Sequence, residues 1–200
     1  MKTRLLEALD ELLADEHPEA VSLRSVARRA GVSHGLPGYY FGDRRGMLTA
    51  YATQGYAMLS HRLAKALRRV AKGSPAERLA TIGITYVQFS LEERRRFAVM
   101  FQSNEIDVQQ SDFRKRADTA FDPFLACINE YFATRPERAA EVPAVMFGAW
   151  SLVHGAAMLL QGTRATSRFP VGRLPAIVEK MCHDFASTNL PEAAAKRSAG

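Results

Sequence analysis

The chain has 200 residues, with 27 Lys/Arg against 21 Asp/Glu, a formal net charge of +6 and 47% hydrophobic residues. That is globular composition at the length of one ordinary domain, or of a small module fused to a larger one, and it excludes wholesale disorder. Two cysteines, Cys127 and Cys182, cannot build a disulfide framework, and acidic residues interrupt the N-terminal MKTRLLEALDELLADEHPEA, so a secreted scaffold is not expected and the expected compartment is the cytoplasm.

No strand-like alternation persists, so the chain reads as all-α. Leu5, Leu6, Leu9, Leu12 and Leu13 recur at helical spacing and define a first helix ending near His17-Pro18. Ser22 is expected to cap a second helix that turns Leu23, Val26 and Ala27 inward and stops at Gly31. Ser33 is expected to cap a very short third helix. Asp43 is expected to cap a long fourth one, carrying Met47, Leu48, Tyr51, Met58, Leu59 and Leu63. Gly73-Ser74-Pro75 reads as the main boundary. Further helices are predicted over 76–91, 94–102, 111–134, 142–162 and 171–189, and the small, polar tail 191–200 is expected to be disordered.

The basic excess is uneven. Residues 1–72 hold 12 Lys/Arg against 7 Asp/Glu, whereas 73–200 hold 15 against 14. Arg24, Arg28, Arg29, Arg44 and Arg45 cluster in the first part, which points to a polyanion partner for that module or to a solvated basic face. The same stretch, SLRSVARRAGVSHGLPGYYF (22–41), carries a helix-turn-helix pattern: capped helix, glycine turn, capping serine, second short helix. Gly31 supplies the left-handed turn, and Ala27 and Val32 let the two helices approach. Pro37 and Gly38 fall inside the second helix and weaken it, so that helix is expected to be partly unfolded without DNA.

On Val26-Ala27, Ala30-Gly31-Val32-Ser33, Phe41, Asp43, Arg44 and Met47-Leu48, the sequence resembles the tetracycline-repressor (TetR) family of bacterial transcription regulators. The resemblance implies a three-helix DNA-binding domain over 1–46, a connecting helix over 47–73, and a ligand-binding and dimerisation domain over 74–190. It places His34, Gly35 and Leu36 at the start of the recognition helix near base edges. It places Tyr39, Tyr40 and Arg44 near phosphates, and Ser22, Arg24, Ser25 and Ser33 among the DNA-contacting residues. For Phe41 core packing is the preferred reading.

In the body, AWSLVHGAAMLL (149–160) resembles a Trp-x-x-x-His-Gly motif of one subset of the family. Residues 142–163 carry no formal charge, which raises a membrane span. Pro143, Ser151, His154, Gln161 and a mean hydropathy of -0.17 for the chain argue instead for a helix buried between its own body and a partner subunit. Gly148, Ser151, Gly155, Leu159 and Gly162 form a mostly small stripe, and Leu174, Ile177, Val178, Met181 and Phe185 an apolar face on the last helix. Together they make the candidate homodimer interface, a four-helix bundle. Phe97, Met100, Phe101, Phe121, Phe124, Met146, Trp150, His154 and Met158 are the candidate lining for a small apolar ligand, with plain core packing the alternative for each.

Other chemistry is thin. Cys182-His183-Asp184 point to different faces of one helix, and no zinc-protease, phosphate-loop or paired-carboxylate signature occurs, so no cofactor, metal or catalytic residue is expected. The reading is a homodimeric, ligand-responsive repressor of a palindromic double-stranded DNA operator. The alternatives are a DNA-binding regulator whose body meets another protein, and a helical enzyme using scattered residues such as Glu92, Glu93, His154 and Asp184.

Overall fold

The computed structural model describes residues 1–162 and 169–191, so the tail expected to be disordered lies, beyond Pro191, outside the described residues. Of the described residues 78% are helical and none is in a strand. The helices are α1 (Lys2–Leu12), α2 (Leu23–Arg29), α3 (Leu36–Phe41), α4 (Arg44–Arg69), α5 (Pro75–Glu92), α6 (Arg94–Gln102), α7 (Ser111–Ala133), α8 (Val142–Gln161) and α9 (Leu174–Asn189), with 3-10 turns at Pro136–Glu141 and Val171–Arg173. They divide into two compact units: residues 1–60 with 92–120, and residues 61–91 with the chain from 121 onward.

This division does not fall at Gly73-Ser74-Pro75, which is the α4–α5 turn inside the second unit. There Ser74 accepts the Glu77 N–H at 3.2 Å and so caps α5, a local job that a Gly-Ser-Pro signal also serves. The chain instead passes between the units within α4, at the end of α5 and within α7; at about 1.5 Å per residue α4 and α7 are long enough to serve two cores. Residues 92–120, expected in the body, therefore belong to the same unit as the helix-turn-helix.

In the first unit α1 buries Leu5, Leu6, Leu9 and Leu12, and α4 buries Met47, Leu48, Tyr51 and Ala52. Ser22 and Ser25 form a reciprocal capping box, each side-chain oxygen accepting the other's backbone N–H at 3.0 Å. Gly31 holds φ +64°, which L-residues rarely adopt, and turns the chain after α2. Ser33 does not cap α3. It is the first residue of a turn whose carbonyl accepts the Leu36 N–H at 3.1 Å, and α3 starts only after Gly35, with no side-chain cap. Pro37 consequently lies in the first turn of α3, where its missing N–H would have had no helical partner, rather than mid-helix. Asp43 does cap α4, its carboxylate accepting the Gly46 N–H at 2.7 Å.

In the second unit α5 crosses α8 and α9 closely. A Cβ on Gly83 would stand 2.9 Å from a Val153 methyl carbon and 3.0 Å from the Cys182 sulfur, inside normal contact. Gly83→Ala is expected to destabilise the protein by about 1–3 kcal/mol through this overpacking, against the gain in helix propensity. Thermal unfolding of the variant checks it; an unchanged or raised midpoint would mean the contact relaxes freely.

Charge divides differently from the sequence expectation. The first unit, 1–60 with 92–120, holds 13 Lys/Arg and 13 Asp/Glu, and the second holds 14 and 8. The basic excess of the first third of the chain comes from Arg62, Lys65, Arg68, Arg69 and Lys72 on and just beyond the C-terminal half of α4. The helix-turn-helix unit itself is neutral.

Candidate functional site

The helix-turn-helix brings four of the ten expected contact residues, with Arg28, around one depression. Ser22, Arg24, Ser25, Arg28 and His34 line an open depression of about 470 Å³. His34 and Gly35 are exposed in the turn before α3 rather than inside it, and Leu36, the first residue of α3, is half-buried. Ser33 is exposed beside them. Tyr39 is 82% exposed and Tyr40 38%, their rings perpendicular at 5.3 Å between centroids, so both phenols are available to a partner. Phe41 is half-buried, with the Lys2 ammonium 5.8 Å above its ring. Arg28 was not among the expected contacts, although its spacing of four from Arg24 puts both on one face of α2.

Arg44 departs from expectation. Its Nε donates to the Val21 carbonyl at 2.8 Å, one terminal nitrogen donates to the Pro18 carbonyl at 2.7 Å, and the other pairs with Glu105. The guanidinium is thus a clamp joining the α1–α2 turn, α4 and the α6–α7 loop, not a group held out for phosphate. Arg45, beside it, keeps a side chain 61% exposed and lies 3.7 Å from Asp107.

The expected ligand lining divides between the two units. Phe97 and Met100 are buried in the first, where Phe97 stacks on Phe101 at 4.6 Å and Phe101 meets Tyr56 at 5.8 Å. α6 lies in that unit because a second anchor holds it: Asp10 of α1 accepts from Arg95 at 2.8 Å and from the Tyr51 hydroxyl, and the Arg96 guanidinium lies 4.0 Å from the Tyr51 ring centroid. Desolvation pushes the Asp10 carboxyl up, but the bonds from Arg95 and Tyr51 and the charges of Arg95 and Arg96 together hold it below its usual range.

In the second unit Phe121, Phe124, Trp150 and His154 form one aromatic chain, with centroid separations of 4.9, 5.9 and 6.0 Å in that order around Phe121 and Trp150. Trp150 is 42% and Met158 39% exposed, while Met146 and His154 are half-buried. Tyr86 on α5, absent from the sequence-based set, shares a 2.8 Å hydrogen bond with His154 Nδ1. Burial pushes the His154 pKa down, so the ring is neutral near pH 7. A group whose folded pKa is lowered in this way binds fewer protons than the unfolded chain, so stability is lost as the pH falls below the ordinary value of 6.5 and through the lower folded one. His154→Asn is expected to flatten the fall in melting temperature between pH 7 and pH 5; an identical slope would assign the acid sensitivity elsewhere. Nearby, a cavity of about 30 Å³ lies among Leu79, Gly83, Phe124, Val153, Cys182 and Phe185. It is too small for an organic ligand as it stands.

The expected interface residues also separate. Gly148 faces its own chain, a Cβ there lying 3.3 Å from the Phe185 ring, and Val178 is buried. Ser151, Leu159, Gly162 and Ile177 are exposed, and among the described residues Gly155 has nothing within 4 Å of its Cβ direction. Leu174 and Met181 are half-buried. Pro136–Gln161 contains an 18-residue stretch long and apolar enough to cross a membrane by length and composition, with mean hydropathy 1.5 over that stretch. Phe147 is 71% and Leu159 61% exposed on α8, which leaves an apolar face uncovered. Both cysteines are buried, and burial raises the thiol of Cys182 to about 11, so neither is a reactive thiolate. Among the described residues no group of three or more His, Cys, Asp and Glu is placed to hold a metal ion.

A family model for bacterial regulatory proteins of the tetR family matches residues 5–51, and one for the tetracyclin repressor-like C-terminal domain matches residues 79–195, more than half of the chain. The chain belongs to the TetR family. It is accordingly a DNA-binding transcriptional regulator and not an enzyme. The same fold recurs in solved structures. A Rhodococcus sp. RHA1 protein of unknown function is 24% identical, with TM-score 0.76 over 96% of this chain and 95% of its own. The TetR family transcriptional regulator PfmR from Thermus thermophilus is 18% identical, with TM-score 0.69 over 94% and 100%. The transcriptional regulator FadR from Bacillus subtilis, in complex with stearoyl-CoA, is 14% identical, with TM-score 0.64 over 94% and 98%. Comparison with curated proteins gives no match. Within the TetR frame the residues 5–51 supply the reading head, and α6, although it falls in the C-terminal family model, packs in the head's unit.

Proposed function

We propose that this TetR regulator is a homodimeric repressor of a palindromic operator, located in the cytoplasm and released from DNA by a small apolar ligand. The observation that carries the dimer is the uncovered apolar face of α8, with Phe147, Ser151, Gly155 and Leu159 outward. A second copy seats there with α9 as partner helix, and two heads then reach successive major grooves about 34–36 Å apart. In each head Ser22, Arg24, Ser25, Arg28 and the two tyrosines take phosphates, while Ser33, His34, Gly35 and Leu36 stand nearest the base edges.

The ligand reading rests on the chain Phe121–Phe124–Trp150 and the neutral Tyr86–His154 pair, an apolar surface with one polar couple. FadR, with the same fold, carries stearoyl-CoA; we extend to this chain only the apolar class. Since the nearby cavity is about 30 Å³, the ligand has to open the helices to enter. A coupling of about 1–3 kcal/mol between that opening and the heads changes operator occupancy about 5–150-fold. The spacing Trp150-x-x-x-His154-Gly155 also supports the subgroup assignment proposed from sequence.

The test is fluorescence anisotropy on DNA upstream of the gene and on duplexes selected from random sequence, with a thermal-shift screen of apolar compounds. Two chains per site and a compound that both raises the melting temperature and weakens operator binding support the reading. Specific DNA binding with no response to any compound would favour the body as a protein-interaction module.

A further inference from the structure

The α6–α7 loop is seated on the start of α4, inside the unit that carries the reading head. Ile106 is buried, the Asp107 N–H donates to Thr49 Oγ1 at 2.8 Å, and the Asp107 carboxylate accepts the Gln109 N–H at 3.1 Å. Glu105, two residues earlier, is held by the clamped Arg44. These contacts fix the Asp107 carboxylate 3.7 Å from Arg45, whose side chain is 61% exposed. The loop is therefore built to hold one carboxylate against an exposed head arginine, in a unit where acids and bases balance at 13 each.

We propose that Asp107 is an intramolecular stand-in for a DNA phosphate. It occupies Arg45 in the free protein and gives it up when DNA docks, so that the loop sets how strongly the head binds any DNA. A pair this long and this exposed contributes little to folding, and it exchanges readily for a phosphate oxygen. The Arg44–Glu105 contact plays the other part: more enclosed and more highly bonded, it keeps the loop in register. The proposal rests on the head docking through the face that carries Ser22, Arg24 and Arg28. It requires no ligand and no particular operator, because phosphate contacts are independent of sequence.

The experiment measures binding of the full-length protein to a mixed-sequence duplex across a salt series. Asp107→Asn keeps the backbone bond to Thr49 and removes the charge. It is expected to tighten binding about two- to fivefold at low salt and to steepen the salt slope by about one per head. Asp118→Asn, an exposed position on α7 in the same unit, makes the same change in net charge and serves as the reference. In an Arg45→Ala background the Asp107→Asn gain is expected to vanish. Equal effects of the two Asn variants, or a gain that survives without Arg45, would overturn the competition. Arg24→Ala distinguishes this from failure of the docking face: if Arg24→Ala leaves the salt slope unchanged, the head binds elsewhere; if it lowers the slope while Asp107→Asn does nothing, only the stand-in is refuted.

Discussion

Arg44→Ala is expected to lower the unfolding free energy by about 2–4 kcal/mol while leaving the salt slope of DNA binding unchanged. The substitution strips donors from the Val21 and Pro18 carbonyls and a counter-charge from Glu105, at a site where the arginine is largely enclosed. In a chain of this size that corresponds to a fall of about 5–10 °C in melting temperature. Arg24→Ala should do the reverse, leaving the melting temperature alone and making the slope shallower by about one. The pair of measurements separates a clamp from a contact. A normal melting temperature with a reduced slope for Arg44→Ala would show that the guanidinium leaves its intramolecular partners and meets phosphate in the complex.

Gly155→Leu is expected to abolish the proposed dimer without harming the single chain. Among the described residues nothing lies within 4 Å of the Cβ direction at Gly155, so the new side chain starts into open space. Leucine also favours the helix over glycine by about 0.5–1 kcal/mol. Only a second chain approaching the α8 face is obstructed. Sedimentation should therefore give single chains of undiminished helicity, and operator affinity should drop about 10²–10⁴-fold as the two heads cease to act together. Gly148→Leu is the poorer probe, since Gly148 already abuts its own Phe185. A Gly155→Leu protein that sediments as a dimer would move the interface away from this face.

Local signals were legible in the sequence because local physics made them. Ser22, Gly31 and Asp43 cap or stop helices through bonds spanning no more than a few residues, and α6 begins and ends where its apolar pattern says. Ser33 misled because it stands where a cap would, yet the chain makes one extra turn before α3. The role of Arg44 was illegible for a different reason: its partners lie 23, 26 and 61 residues away, and two of them are backbone carbonyls that no residue type announces. The same holds for α6. Its aromatic residues suit a ligand lining as well as a core, and only Asp10, Tyr51 and Arg95 together decide which unit it joins. Gly83 reads as an ordinary helical glycine until α8 and α9 are seen to close on it.

The balanced charge of the reading-head unit bears on how the regulator finds its target in a cell. Chromosomal DNA is a vast reservoir of wrong sites, and proteins with strongly cationic heads spend most of their time stored on it. A unit with no net formal charge is expected to be held by that reservoir less than a strongly cationic one. Discrimination is then expected to depend more on the few groups proposed to lie near the base edges.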